Sequence, residues 1–372
     1  MTAQSTAPQP AAAVPLTQHR TPLPALTGVR FLAAMQVVLF HFGSGFAQRH
    51  NLPRPVTNFL TNGWTAVTLF FILSGFILSY TYSGQITRPG GKLRFWEARF
   101  ARIYPVYLLA LLLSWPFRGN PGLGLSIAVF TMVQAWNPFH PNYGGAWNSP
   151  AWTLSTEAFF YLLFPLFLPQ LEKYSIRTLK CLAAAAILVV LLGHTMTPSV
   201  DPLTRLTGLP FPVFRFPEFL AGMALGLILL RTPRRQRRLP LGYAATLATM
   251  VILMFVKGPW LSLLAIPLSI LIYELAAGDT LLVRLLGSKP FLLLGGASYA
   301  IYLLQEPVRS WTHFGVTGST DRGVATGGID TFLSPVILVA FSIGVFLFWE
   351  EPMRKRLRSW FKQHSASGLP AV

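Results

Sequence analysis

Two basic residues within one apolar stretch are the first that could do chemistry. Arg30 and His41 are eleven residues apart, almost three helical turns, so a helix puts them on one face about 16 Å apart along its axis. An extended pantetheine arm has a similar length. A phosphate held at Arg30 would leave a thioester near His41, whose imidazole suits a general base. Taken singly, Arg30 also fits an anchor snorkelling to a membrane interface, and His41 a hydrogen bond between helices.

Three other segments carry candidate groups. Arg99 and Arg102, spaced i and i+3 ahead of Pro105, share a helix face and could both meet phosphate oxygens; they equally fit an interfacial anchor. Glu157 follows Trp147, Pro150, Trp152 and Ser155. Pro150 suits a helix start and the tryptophans an interface, so Glu157 reads as the acid nearest the outer face of its span. At that depth a carboxylate is expected to orient His41 and stabilise imidazolium, with a sugar hydroxyl or another span as alternative partners. The segment Phe70 to Phe76 contains Ser74 and Gly75. Gly75 permits close helix approach and Ser74 a cross-helix hydrogen bond. Without a GxSxG elbow, Ser74 is read as structural support and not as a nucleophile.

These residues need elements to hold them, and composition says which kind. Of 372 residues, 52% are hydrophobic and only 11% charged, with mean hydropathy +0.50. A soluble chain of this size needs far more charge to cover its surface. Apolar runs fall at 27–46, 64–82, 103–118, 121–137, 151–170 and 178–194. Five more fall at 213–230, 241–256, 259–277, 291–312 and 332–350. Most are long enough to cross a hydrocarbon core of roughly 30 Å.

Charge decides which of them cross. The formal net charge of +18 is concentrated in short clusters between runs. They are Arg94, Arg99 and Arg102; then Arg231, Arg234, Arg235, Arg237 and Arg238; then Arg354, Lys355, Arg356 and Arg358. This is the positive-inside pattern and not a nucleic-acid-binding surface. If every run crossed, the cluster at 231–238 would lie opposite Arg94. Leaving 121–137 as a non-spanning segment in an outer loop puts loops 83–102, 171–180, 231–240 and 278–290 and both termini in the cytoplasm. The expected fold is an all-α integral membrane bundle of about ten transmembrane helices. Residues 1–22 form a disordered cytoplasmic tail, 23–358 the transmembrane domain and 359–372 a C-terminal cytoplasmic tail. The lone Cys181 excludes an internal disulfide, and no metal-site, P-loop or dinucleotide motif is present. No metal and no permanently bound cofactor is expected.

In this order the segments resemble the acyltransferase-3 family of bacterial membrane O-acyltransferases. The likeness rests on Arg30 to His41, Phe70 to Phe76, Arg99 to Pro105 and Trp152 to Glu157. It extends to Ser298, Tyr299, Tyr302 and Leu303, and to Glu351-Pro352 before basic residues. The resemblance implies His41 as catalytic base, with Arg30, Arg99 and Arg102 on an acyl-CoA donor. It implies a bacterial cell membrane, a hydroxyl acceptor, and supporting places for Ser74, Trp152, Ser155 and Tyr299. Two positions depart: Gln305 beside Glu306 stands where the family often has His, and Thr153 replaces a usual Ser.

The expected activity is transfer of an acetyl or other short acyl group from acyl-CoA to a hydroxyl of a glycan, glycolipid or glycosylated metabolite. The competing expectation is a transporter or flippase relaying protons through His41 and Glu157.

Overall fold

The structure, a computed structural model, describes residues 20–119, 122–193, 207–232, 241–320 and 329–367. Most of the N-terminal tail and the arginines from Arg234 to Arg238 lie outside the described residues. Fourteen α-helices and several short 3₁₀ turns make up the described chain, with no strand.

Helix α1 (Pro24–Arg49) starts with a proline in its first turn, where a missing N–H costs nothing. It is followed by the short α2 (Arg54–Thr61), then α3 (Ala66–Tyr82) and α4 (Gly91–Ser114). Next come α5 (Leu123–Phe130), α6 (Trp152–Leu171), α7 (Ile176–Gly193) and α8 (Phe211–Arg231). The C-terminal half contains α9 (Leu241–Phe255), α10 (Ala265–Ala277), the short α11 (Leu281–Leu286) and the 29-residue α12 (Lys289–Thr317). Gly318, at φ 69°, closes α12 in the left-handed conformation that glycine adopts without strain. Finally α13 (Ile329–Val345) runs through a π-helical turn at Phe346–Glu350 into α14 (Glu351–Ser367).

Eight helical segments among the described residues are long and apolar enough to cross a membrane. They contain α1, α3, α4, α6, α7, α8, α10 and the α13–α14 rod. The 15-residue α9 is shorter, and α12 carries Glu306 and Arg309 along its length. The expected ten crossings count both of these.

Helix directions come from the closest contacts. Helices α3 and α8 meet backbone to backbone: a Cβ on Gly75 would strike the Phe219 carbonyl, and one on Gly222 the Ile72 carbonyl. Ile72 faces Gly222 while Phe76 faces Gly226, so the two helices run parallel. Three crossings by α4, α6 and α7 give that direction, and a fourth by 121–137 would reverse it. Helix α5 has eight residues, about 12 Å, too short to span. The chain beyond it folds back onto its neighbours. Tyr107 Oη donates to the Val129 carbonyl at 2.6 Å. The Ala135 N–H donates to Ser155 Oγ at 3.1 Å, and the Trp136 indole to the Ser155 carbonyl at 2.8 Å. These bonds pair backbone groups that lipid would leave unsatisfied. The non-spanning segment expected from charge is thus a folded-back layer between α4 and α6.

Helices α1 and α12 are also parallel. The Thr27 carbonyl lies against Gly295, and fourteen residues further along both helices Arg309 Nη1 donates to the His41 carbonyl at 2.9 Å. That register brings the outer half of α12 beside His41.

Candidate active site

Helices α1, α3, α4, α6 and α12 surround a cavity of about 110 Å³ lined by Arg30, Arg99, Arg102, Glu157, Ser74 and Tyr299, with Tyr161 also on its wall. Five separate stretches of sequence meet there. Tyr161 lies one turn after Glu157 on α6 and donates to Glu157 Oε2 at 3.0 Å, while Ser74 Oγ is 3.4 Å from Tyr161 Oη. Ser74 thus contacts Tyr161, which in turn contacts Glu157. Tyr299 Oη donates to the Ile103 carbonyl at 2.9 Å, tying α12 to α4 beside Arg102. The Arg102 guanidinium lies over the Tyr299 ring, 5.7 Å from its centroid.

The cavity is a concentrated charge cluster. Arg102 is ion-paired with Glu350, whose side chain is only 1% exposed. Arg30 feels Arg102, Glu157 and Glu350 together. Three guanidiniums thus face two carboxylates. Arg99 is weakly held: its guanidinium lies 5.7 Å over the Tyr82 ring, its bond to Tyr82 Oη is long at 3.5 Å, and among the described residues its buried Nε has no hydrogen-bond partner. An unspent cationic donor beside a net positive cavity is suited to an incoming anion.

Glu350 was not singled out from sequence. It closes the apolar run 332–350, where counting residues reads it as interfacial. The π-helical turn at Phe346–Glu350 inserts an extra residue per turn, and Glu350 from this turn pairs with Arg102. Such turns recur at functional sites. Trp349 from the same turn donates to the Pro105 carbonyl at 3.0 Å, tying this turn to α4.

His41 is not on this cavity. It lies about 16 Å along α1 from Arg30, and the charged groups acting on it are Glu306 and Arg309 from α12. Glu306 is itself paired with Arg118, at 2.7 Å. The expected His41–Glu157 pair is therefore not formed. Glu157 sits at the depth of Arg30, and the acid acting on His41 is Glu306. The reason is the folded-back layer. Asn148, Pro150 and Ala151 are buried, and Asn148 Nδ2 donates to the Leu303 carbonyl at 2.9 Å, so α6 begins below the surface. Counting depth from Pro150 placed Glu157 too far out.

Ser155 and Trp152 stand outside the lining of the arginine cavity. Ser155 is buried and holds the returning chain through its hydroxyl and its carbonyl. Trp152 packs edge-on against Phe71 and Phe211, at 6.1 and 5.5 Å between ring centroids. Among the described residues no cluster of His, Cys, Asp and Glu could hold a metal ion.

Helices long and apolar enough to cross a membrane, around a buried arginine cavity and a separate histidine, define an all-α integral membrane protein. Residues 23–349 match the acyltransferase-3 family, described as an acyltransferase domain. The chain belongs to that family of membrane O-acyltransferases. It is 30% identical over 316 residues to acyltransferase MdmB of Streptomyces mycarofaciens, covering 78% of this chain and 80% of that protein. It is 26% identical to a putative peptidoglycan O-acetyltransferase, YrhL, of Bacillus subtilis, over 78% of this chain and 49% of that protein. Peptidoglycan O-acetyltransferase OatA of Listeria monocytogenes is likewise 26% identical, over 78% of this chain and 50% of that protein. The chain thus spans about half the length of these two O-acetyltransferases. No solved structure matches it.

Proposed function

We propose that this protein moves a short acyl group, acetyl in the simplest case, from acyl-CoA to a hydroxyl of a glycan, glycolipid or glycosylated metabolite. The observation that carries the reading is the convergence of Arg30, Arg99 and Arg102 on one cavity, with His41 one pantetheine length further along α1. Phosphates of the donor would be held by the three guanidiniums, worth about 1.5–3 kcal/mol per charge-assisted contact. His41 would take the proton of the acceptor hydroxyl as its oxygen bonds to the acyl carbon. The carbon–sulfur bond then breaks, and CoA leaves as the thiol after receiving that proton. Glu306, paired with Arg118, would favour the imidazolium formed in between.

The positive clusters support an arginine cavity on the cytoplasmic side, where acyl-CoA is made, with both termini cytoplasmic in a bacterial cell membrane. Relatives named as peptidoglycan O-acetyltransferases support a short acyl group and a glycan hydroxyl. A transporter relaying protons directly between His41 and Glu157 needs those groups close, and their offset along α1 gives that reading no support. The test is thiol release by purified full-length protein in lipid nanodiscs, given acetyl-CoA and a pool of glycan fragments. Acceptor-dependent release with an acetylated product supports the reading. Intact acetyl-CoA, with flux of glycan across vesicles, overturns it.

A further inference from the structure

A separate cavity of about 850 Å³, against about 110 Å³ at the arginine cavity, lies between α7, α8 and α10. The two share no lining residue. The lining of the larger one is graded. Lys180, Thr232 and Glu274 stand at one end, while Ile187, Leu225 and Ile266 stand seven or eight residues away on the same helices, about 10–12 Å deeper. The helix ends agree on the direction. The Arg231 guanidinium, at the end of α8, donates to the carbonyls of Glu172 and Tyr174 just before α7, so the polar residues of both helices share one end. The other end is closed: the Ser262 hydroxyl, in the turn before α10, donates to the Leu191 carbonyl at 3.4 Å. At the polar end Lys173, Arg177, Lys180 and Arg231 outnumber Glu172 and Glu274. Partway along the α10 wall the Ser269 side chain is 4% exposed, and its hydroxyl has no hydrogen-bond partner among the described residues.

We infer that this cavity binds one anionic diacyl phospholipid, held as part of the structure and not consumed. The inference goes beyond acyl transfer and does not depend on it. The grading of the lining carries the assignment. A phospholipid has a phosphate at one end, ester carbonyls below it and apolar chains beneath those. The cations at the polar end match an anionic headgroup. Ser269 lies five residues from Glu274, about 8 Å deeper, where an ester carbonyl would accept its proton. A buried hydroxyl without a partner costs free energy, and a carbonyl in the cavity removes that cost. Below Ser269, Ile187, Leu225 and Ile266 offer acyl chains an apolar wall and give a sugar or nucleotide nothing to bond to. On the topology proposed above the polar end is cytoplasmic, so the lipid comes from the inner leaflet. Seated there, it bridges α7 and α10 across α8.

Native mass spectrometry of full-length protein, extracted gently from nanodiscs of phosphatidylcholine and phosphatidylglycerol in equal parts, tests the assignment. Thermal stability is measured on the same samples. Wild type should retain phosphatidylglycerol in preference to phosphatidylcholine. Lys180→Glu, a change to an exposed side chain, should reduce that preference by about fivefold or more. Ile266→Trp with Ile270→Trp, which fills the apolar part of the cavity, should lower retention of either lipid by at least about tenfold. Val336→Trp, exposed on α13 and away from the cavity, should retain lipid as wild type does. Wild type that emerges without lipid, or with phosphatidylcholine held as readily as phosphatidylglycerol, overturns the site. So does retention unchanged in both Lys180→Glu and the paired tryptophan variant. If the tryptophan pair does not fold, Lys180→Glu alone decides.

Discussion

Arg99 and Arg102 line the same cavity but differ in what already holds them, and their variants should therefore fail in different ways. Arg102 is ion-paired with a nearly inaccessible carboxylate, Glu350. Arg102→Gln removes a donor contact and strands that carboxylate, a change that costs about 3–5 kcal/mol of stability when one partner of a buried pair is lost. Among the described residues Arg99 forms no ion pair and its buried Nε makes no hydrogen bond, so Arg99→Gln removes fewer contacts from the empty protein than Arg102→Gln does. If both arginines hold donor phosphates, each loss costs about 1.5–3 kcal/mol of donor binding, roughly 10- to 150-fold in affinity. Arg99→Gln should thus weaken CoA binding with a melting temperature near wild type. Arg102→Gln should lose both. Adding Glu350→Gln to Arg102→Gln should recover most of the thermal stability and none of the CoA affinity, because the stranded charge is gone while the donor contact is still missing. Calorimetric titration of CoA beside differential scanning fluorimetry reads the two quantities separately. Wild-type CoA affinity in Arg99→Gln and in the double variant would refute the phosphate clamp and leave the arginines as anchors.

Three further outcomes are expected. With Cys181→Ala as background, Phe139→Cys and Ser175→Cys should react with a membrane-impermeant maleimide from opposite faces; reaction from one face would overturn the ten-crossing arrangement. Gly75→Leu or Gly222→Leu drives a side chain into the facing backbone carbonyl and should abolish recovery of folded protein from detergent, whereas Gly124→Ala, with open space around it, should be silent. Glu306→Gln should lower kcat by about tenfold or more with donor affinity unchanged, while Glu157→Gln should act on donor affinity first; the reverse split would restore the His41–Glu157 pairing.

The contrast between these two glutamates shows what was legible in the sequence. The helices were, because apolar length reports a membrane span directly. So was the folded-back segment, because charge alternation counts crossings without knowing any contact, and the parallel α3–α8 pair agrees with that count. Arg30, Arg99, Arg102 and Glu157 were legible as types on the right faces, and they do converge. Their partners were not. Pairing depends on depth, and depth was measured from Pro150 as if it stood at the surface, while the returning chain covers it. Glu306 was legible only as the neighbour of Gln305 in the apolar run 291–312, and only the α1–α12 register brings it near His41. Glu350 needed the π-helical turn, which no period in the sequence announces.

The central claim is that His41 is the base in acyl transfer from a donor held at the arginine cavity. It is tested most directly by CoA release from acetyl-CoA by His41→Ala protein in nanodiscs, with a competent glycan acceptor and with CoA binding measured on the same preparation. A base of this kind contributes typically 10²–10⁴-fold, so turnover should fall by that factor while CoA binds as in wild type. Wild-type turnover in His41→Ala would contradict the account.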